Sequence, residues 1–276
     1  MRSRSTIFFL ILLTSAQPVL SQKTIKGLIN AEKQFAWFTS THTVKEGFLQ
    51  YMDSAGVIFQ QGGERNALEF YKKQNAAPGI LNWEPDFAVI SSSGDIGATS
   101  GPFTFRVKSA QDTPVGRGTF CSVWRINKQG EWKNMADLGS QCRIAPAEII
   151  DVKEIILPKT GVAPGTTDEL LLLDKKFNNA LQEKKVGDWM PFISSDSRLN
   201  FDGSLPATGM LQIADALQKI PSGSQIVTKT GELSSAKDLG YTYGTIQNAG
   251  RMTNYLRVWI YRNKQWIAIL QTIKLL

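Results

Sequence analysis

The chain has 276 residues, with 31 basic and 24 acidic side chains, a net charge of +7, two cysteines and one histidine. The basic surplus is mild and scattered, without a Lys/Arg run or a glycine-rich phosphate loop, which argues against a nucleic-acid partner. Two cysteines and a single histidine make a poor zinc set, so neither a metal nor a cofactor is expected.

The chain opens Met1-Arg2-Ser3-Arg4, continues with an apolar run from Ile7 to Leu13, and reaches Ser21 through small residues. That is the pattern of a secretory signal peptide over 1–21, cut after Ser21. Its apolar core is shorter than the roughly 20 residues that cross a bilayer, and no later stretch reaches that length. An exported protein, periplasmic or secreted and without an integral membrane segment, is the expectation. Loss of Arg2 and Arg4 lowers the charge from +7 to +5. By length the remainder suggests two domains.

Ile25, Leu28, Ile29, Phe35 and Phe38 recur at helical spacing and predict an amphipathic helix over about 24–39, with Glu32 on its apolar stripe. Val44, Phe48 and Tyr51 predict a second helix, Val57 to Phe59 a short strand, and Ala67 to Gln74 a third helix. From Trp83 the character changes to strands: Asp86 to Ser92, then Ala98 to Lys108, a polar loop over Ser109 to Gly118, and a hairpin of Thr119–Ile126 with Trp132–Leu138. Helices followed by a meander of strands indicate α+β, with the helices on one face of a curved sheet. Residues 140–166 carry Pro146, Pro158, Gly161, Pro164 and Gly165 and read as a linker, partly packed through Ile155-Ile156-Leu157.

Residues 167–276 repeat the plan of 22–139. Ser93–Gly101 returns as Ala236–Gly244, sharing the pattern D-[IL]-G-x-T-x-G, a tight turn feeding a strand. Phe177 matches Phe35, Asp174 matches Glu32, Leu199 to Phe201 matches Val57 to Phe59, and Trp259 with Trp266 matches Trp124 with Trp132. The second copy is shorter between turn and hairpin, so the extra loop belongs to the first.

The helix with Glu32 and Phe35, Leu81-Asn82-Trp83-Glu84-Pro85, the first turn, Val123-Trp124-Arg125, and Trp132 through Gly139 together resemble the SnoaL-like domains of the nuclear-transport-factor-like cone superfamily, which also contains ketosteroid isomerase. The resemblance implies two cone-shaped domains, each with N-terminal helices packed on a curved antiparallel sheet and a pocket open at one end. Two fused copies would then form an intramolecular pseudo-dimer, sheet against sheet. It implies fold rather than activity.

An isomerase-type site needs a carboxylate base and a neutral donor across the cone. Where the base would sit, the first copy offers Gln60 and Gln61 and the second Asp202, which alternation places with Arg198 and Asn200 toward solvent. Ser122 and Arg257 match when Trp124 is aligned with Trp259. Arg257, flanked by Tyr255 and Trp259, either holds an anion in a bidentate pair or stacks on its aromatic neighbours, with a salt bridge across the domain interface as a further choice. Glu32 and Asp174 are general acids if desolvated, or ties between helix and sheet. Asp137 matches Gln271, so chemistry there is not shared by both halves. His42 lies in a polar corner between helices.

The catalytic candidates are thus Glu32 and Asp137, and the ligand-binding candidates Trp83, Ser122, Trp124, Tyr255, Arg257 and Trp259. Cys121 and Cys142 are either bonded in an oxidising compartment or two buried thiols. Three functions stay open: binding of a small, partly apolar or anionic ligand without turnover; an isomerase, dehydratase or hydrolase using a buried carboxylate; or an interaction module with filled cones. A buried carboxylate facing an open pocket selects the enzyme, and a closed cone the module.

Overall fold

The structure, a computed structural model, describes residues 23–60, 62–142, 151–159 and 161–275. The expected signal peptide and the part of the linker around Pro146 lie outside the described residues. In the first half, α1 (Ile25–Thr41) starts where the Thr24 hydroxyl accepts the Gly27 amide at 3.1 Å, and α2 (Val44–Tyr51) where Thr43 does the same for Glu46. The chain then forms β1 (Met52–Gln60), β2 (Gly63–Asn66), α3 (Ala67–Lys73), β3 (Ile80–Trp83), β4 (Phe87–Ile90), β5 (Ile96–Arg106), β6 (Gly116–Ile126), β7 (Trp132–Gln141) and β8 (Lys153–Ile156). The second half repeats this with α4 (Thr167–Gln182), α5 (Val186–Trp189), β9 (Arg198–Phe201), β10 (Ala207–Thr208), α6 (Gly209–Gln218), β11 (Gln225–Leu233), β12 (Leu239–Asn248), β13 (Arg251–Arg262) and β14 (Gln265–Ile273).

Each half is α+β, and each sheet follows one path: β2-β1-β7-β6-β5-β4-β8, with β3 also on β5, and β10-β9-β14-β13-β12-β11. The sheets are mainly antiparallel, but β1 runs parallel to β7, β9 to β14, and β8 to β4. The apolar patch expected to pack within the linker is thus β8, a seventh strand on the first sheet's path. β3 and β11 were likewise not evident as strands; β3 has partly polar, half-buried residues that pair with the long end of β5. That extension of β5 and β6 is the extra loop of the first copy.

Bulges bend both sheets at matching places, between Val123 and Trp124 on β6 and between Val258 and Trp259 on β13. The helices lie in the concave faces, where Leu28, Phe35 and Trp124 pack in one half and Leu170, Phe177 and Trp259 in the other. The convex faces meet. Val89, Ala98, Cys121, Val123 and Leu138 form one buried cluster with Leu239, Leu256, Val258, Ile260 and Ile269, so the two halves share a core.

The duplicated turn meets the same demands in both copies. Asp95 accepts the Ser235 amide at 2.9 Å, and Asp238 accepts the Ser92 amide at 3.1 Å, so the two turns bind each other reciprocally. Ile96 and Leu239 enter the shared core. Gly97 and Gly240 leave room for the helix residues Leu28 and Leu170, and a Cβ at Gly101 or Gly244 would fall on the carbonyl of Glu84 or Val227 in the neighbouring segment. Thr99 and Thr242 reach back to the carboxylates of Glu32 and Asp174. The left-handed turn position is Gly94 in one copy and Lys237 in the other, at φ 67° and 57°.

Candidate functional site

The second cone is filled. The Asp174 carboxylate, fully buried on α4, accepts from Tyr255 at 2.5 Å, Thr228 at 2.6 Å and Thr242 at 2.8 Å, and is ion-paired with Arg257. The Arg257 guanidinium also donates to Gln271 at 2.8 Å and Asn178 at 3.1 Å, and it lies 4.2 Å from the Phe177 ring centroid. Such a pair is tolerable in a low-dielectric interior because nearly every polar atom around it has a partner. Arg257 therefore does not wait for a ligand, nor does it bridge the halves. Its partner lies on the helix of its own cone, and Tyr255 and Trp259 complete the same packed cluster. Burial, and then the Asp174 charge, push the Tyr255 hydroxyl far above its ordinary range, so it remains a donor.

The first cone keeps the frame but not the cation. Glu32, also fully buried, accepts the Trp83 indole at 2.5 Å, the Trp124 indole at 2.8 Å and the Thr99 hydroxyl. Burial raises its pKa against the lowering by these donors. Glu32 thus ties α1 to β3, β5 and β6, which is the structural role open to it from the sequence. Ser122, in the place of Arg257, donates at 2.8 Å to Asp137, which stands opposite it on β7. Glu32, Trp83, Ser122, Trp124 and Asp137 are accordingly brought together in one half, and Tyr255, Arg257 and Trp259 in the other.

Asp137 is the least compensated of these groups. Burial raises its pKa, the Ser122 hydroxyl pulls it back, and the nearby Glu32 charge raises it again, leaving it at about 7. The Asn134 amide adjoins it without an aligned hydrogen bond to either of its polar atoms among the described residues. Two open cavities meet at this carboxyl. One, of about 140 Å³, has Leu81, Trp83, Phe120 and Phe48 in its walls. The other, of about 200 Å³, adds Ile58, Tyr71 and Lys274. Phe48, Phe103, Asp137 and Gly139 line both.

Register explains the difference between this cone and the packed interior of the second among the described residues. Across the matching bulges Asn134 corresponds to Ala268, Asp137 to Gln271 and Gly139 to Ile273, while Phe120 and Ser122 correspond to Tyr255 and Arg257. Larger side chains on β13 and β14 close the second cone, and the smaller ones on β6 and β7 leave space. Gly139 and Phe103 were not evident as site residues from the sequence. The available signal was alternation on β7, but the bulge at Met135 shifts the face, putting Asn134, Asp137 and Gly139 on one side.

Other expectations need correction. Arg198 and Asn200 on β9, and Asp202 in the turn just after it, do not point to solvent but lie against the first half: Arg198 pairs with Asp86 at 2.7 Å, Asn200 donates to Ser100 at 3.0 Å, and Asp202 accepts the Gln141 amide at 2.6 Å. Cys121 and Cys142 are both free and buried. Cys121 faces Leu138 while Cys142 follows Gln141 on the same ladder, so they stand about four residues, or ~13 Å, apart along the strands, beyond disulfide reach. His42 stacks on Phe38 at 3.9 Å and caps α1 at the surface. No helix among the described residues is long and apolar enough to cross a membrane, and no group of three or more His, Cys, Asp or Glu there is placed to hold a metal ion.

No family model matches the chain, and no curated protein matches it. Among solved structures it is similar to a protein of unknown function with a cystatin-like fold from Nostoc punctiforme, at 17% identity over 42% of this chain and 94% of that one, with a TM-score of 0.34. It is similar to an NTF2-like protein from Cytophaga hutchinsonii, at 17% identity over 41% of this chain and 100% of that one, with a TM-score of 0.35. A third similar structure is an NTF-2 like protein of unknown function from Shewanella oneidensis, at 13% identity over 39% of this chain and 98% of that one, with a TM-score of 0.33.

Proposed function

We propose that the first half is a small-molecule site in which Asp137 exchanges a proton with a bound, largely apolar ligand, and that the second half is its structural companion. The observation that carries this reading is the Asp137 carboxyl: half-buried, uncompensated by a cation, facing apolar cavities, and replaced by Gln271 in the second copy. A carboxyl that titrates near 7 is matched to proton transfer at neutral pH, since it takes and releases a proton with little driving force wasted. The Tyr71 hydroxyl, raised above its ordinary range by burial and by the Asp137 charge, supplies a neutral donor in the same cavity. The two adjoining cavities together come to the low end of the ~300–1,000 Å³ usual for ligand sites. Proton transfer at a small ring or chain, as in an isomerase or dehydratase, fits this arrangement.

The units that carry these roles are residues 22–139 and 167–276, joined through 140–166. Export belongs to the same proposal: mass spectrometry of the protein from its own source should give a chain beginning at Gln22, and a retained leader would overturn it. The test of function is deuterium exchange into small cyclic ketones followed by NMR. Exchange should rise with pH through a midpoint near that of Asp137 and disappear in Asp137→Asn. Unchanged exchange in that variant, or ketones that neither bind nor exchange, would sink the reading.

A further inference from the structure

We infer that the ligand of the first cone carries an anionic group, held at the rim of the site by Lys274 of the second half. This rests on the small-molecule reading above and narrows its ligand class to an apolar body ending in a carboxylate or a similarly charged group.

Lys274 follows the last residue of β14, where its amide donates to the Asn254 carbonyl at 3.1 Å, so its backbone is fixed. The residue is half-buried and lines the first-half cavity that contains Asp137 and Tyr71. The ammonium makes no ion pair among the described residues. Asp202 is near enough to feel the lysine charge, but burial still raises its pKa, and its oxygens are taken by the amides of Gln141 at 2.6 Å and Leu275 at 3.1 Å. A half-buried lysine without a bonded counter-charge, at the edge of an apolar cavity, presents its donors to whatever enters.

A second observation points the same way. Gln60 lines both this cavity and a wider surface bowl of about 460 Å³ that contains Arg65 and Lys73, two further cations without ion pairs among the described residues. Glu69 is the single acid of that bowl among the described residues. Glu64, the neighbour of Arg65 on β2, turns to the opposite face, where its charge is felt by Tyr243. Field lines from Lys274, Arg65 and Lys73 therefore converge on the approach to a site whose own carboxyl is largely protonated below neutrality. An anion is guided to the rim, while the apolar part of the molecule passes Phe103 toward Asp137.

Octanoate and octanol, equal in chain length and different in charge, separate the two readings by calorimetry on the full chain at pH 6. Octanoate should bind about tenfold more tightly at low salt, the difference expected for one charge-assisted contact. The preference should shrink as salt is added and vanish in Lys274→Gln, with octanol affinity unchanged; Arg65→Gln should reduce it by a smaller factor. Equal binding of the two ligands, or a preference that survives Lys274→Gln, would overturn the anionic group and leave the apolar site standing. If wild type binds neither ligand, both readings fall.

Discussion

The two cones share a frame and differ inside, and the difference separates what the fold needs from what it allows. Both keep a helix carboxylate, a threonine on the next strand and a tryptophan beyond it: Glu32, Thr99 and Trp124, or Asp174, Thr242 and Trp259. That triad fastens the helix to the concave sheet and recurs because the architecture requires it. The positions that vary are those facing the cone mouth on the last two strands. Arg257, Gln271 and Ile273 neutralise the acid and fill the space; Ser122, Asp137 and Gly139 add a second acid and leave room. One cone has spent its interior on stability, while the other holds a carboxyl that is destabilising when ionised.

The sharpest way to break this comparison is to remove the cation from the filled cone. Arg257→Ala strands the Asp174 charge in the interior, which typically costs about 3–5 kcal/mol. Urea unfolding of the variant should show that loss, and adding Asp174→Asn should recover part of it, because the stranded charge rather than lost packing dominates. A loss confined to a few tenths would mean that Asp174 is not charged when buried.

The opposite sign is expected for Asp137→Asn. With a folded pKa near 7 and an ordinary value of 3.8, the folded state holds this proton more tightly than the unfolded chain. Stability is therefore undiminished below pH 4 and falls as pH rises through the window up to about 7. The asparagine variant lacks that fall. At pH 8 it should exceed wild type by ~2 kcal/mol, a figure reduced from the full shift because the side chain is partly exposed, while at pH 4 the two should unfold together.

Much of the frame was legible in the sequence because it is periodic or repeated. The helices around Leu28 and Phe48 showed through their spacing, and the turn showed through its recurrence, since Gly97, Thr99 and Gly101 each meet a steric or bonding demand that returns at Gly240, Thr242 and Gly244. What failed was anything set by contact with the other half. Arg198 and Asn200 look like a solvent face by alternation, yet Asp86 and Ser100 cover them. β8 reads as linker because its partner β4 is distant in sequence. The open cavity was hidden by the bulge at Met135, which puts Asn134 on the same face as Asp137 and Gly139 where strict alternation would have separated them.

The reciprocal turns offer a smaller test. Burial pushes Asp95 up, but the donors Ser235 and Ser93 outweigh it and hold its pKa below the ordinary value. Its contribution is present above pH 4 and is lost as pH falls through the depressed folded value. Asp95→Ala should cost about 1–2 kcal/mol at neutral pH, with the difference from wild type closing in acid. Asp238→Ala should cost a similar amount at neutral pH, because it accepts the matching Ser92 amide. A large inequality between the two would show that the turns are alike in sequence but not in load.

The smallest effect on stability belongs to the residue that matters most for the cavity. Gly139 has ordinary backbone angles, and a Cβ there would meet the Phe103 ring at 3.3 Å, a tight contact with a half-buried side chain that lies on the cavity wall and can yield. Gly139→Ala should therefore shift stability by less than about 1 kcal/mol, since the stiffer unfolded chain offsets the crowding. The added methyl projects between the two cavities that share Gly139 and Phe103, so octanol binding should weaken severalfold at nearly constant stability, and Gly139→Ile, which copies Ile273, should abolish it. Retained affinity in a folded Gly139→Ile would place the ligand elsewhere, because that change gives the first cone the plug that closes the second.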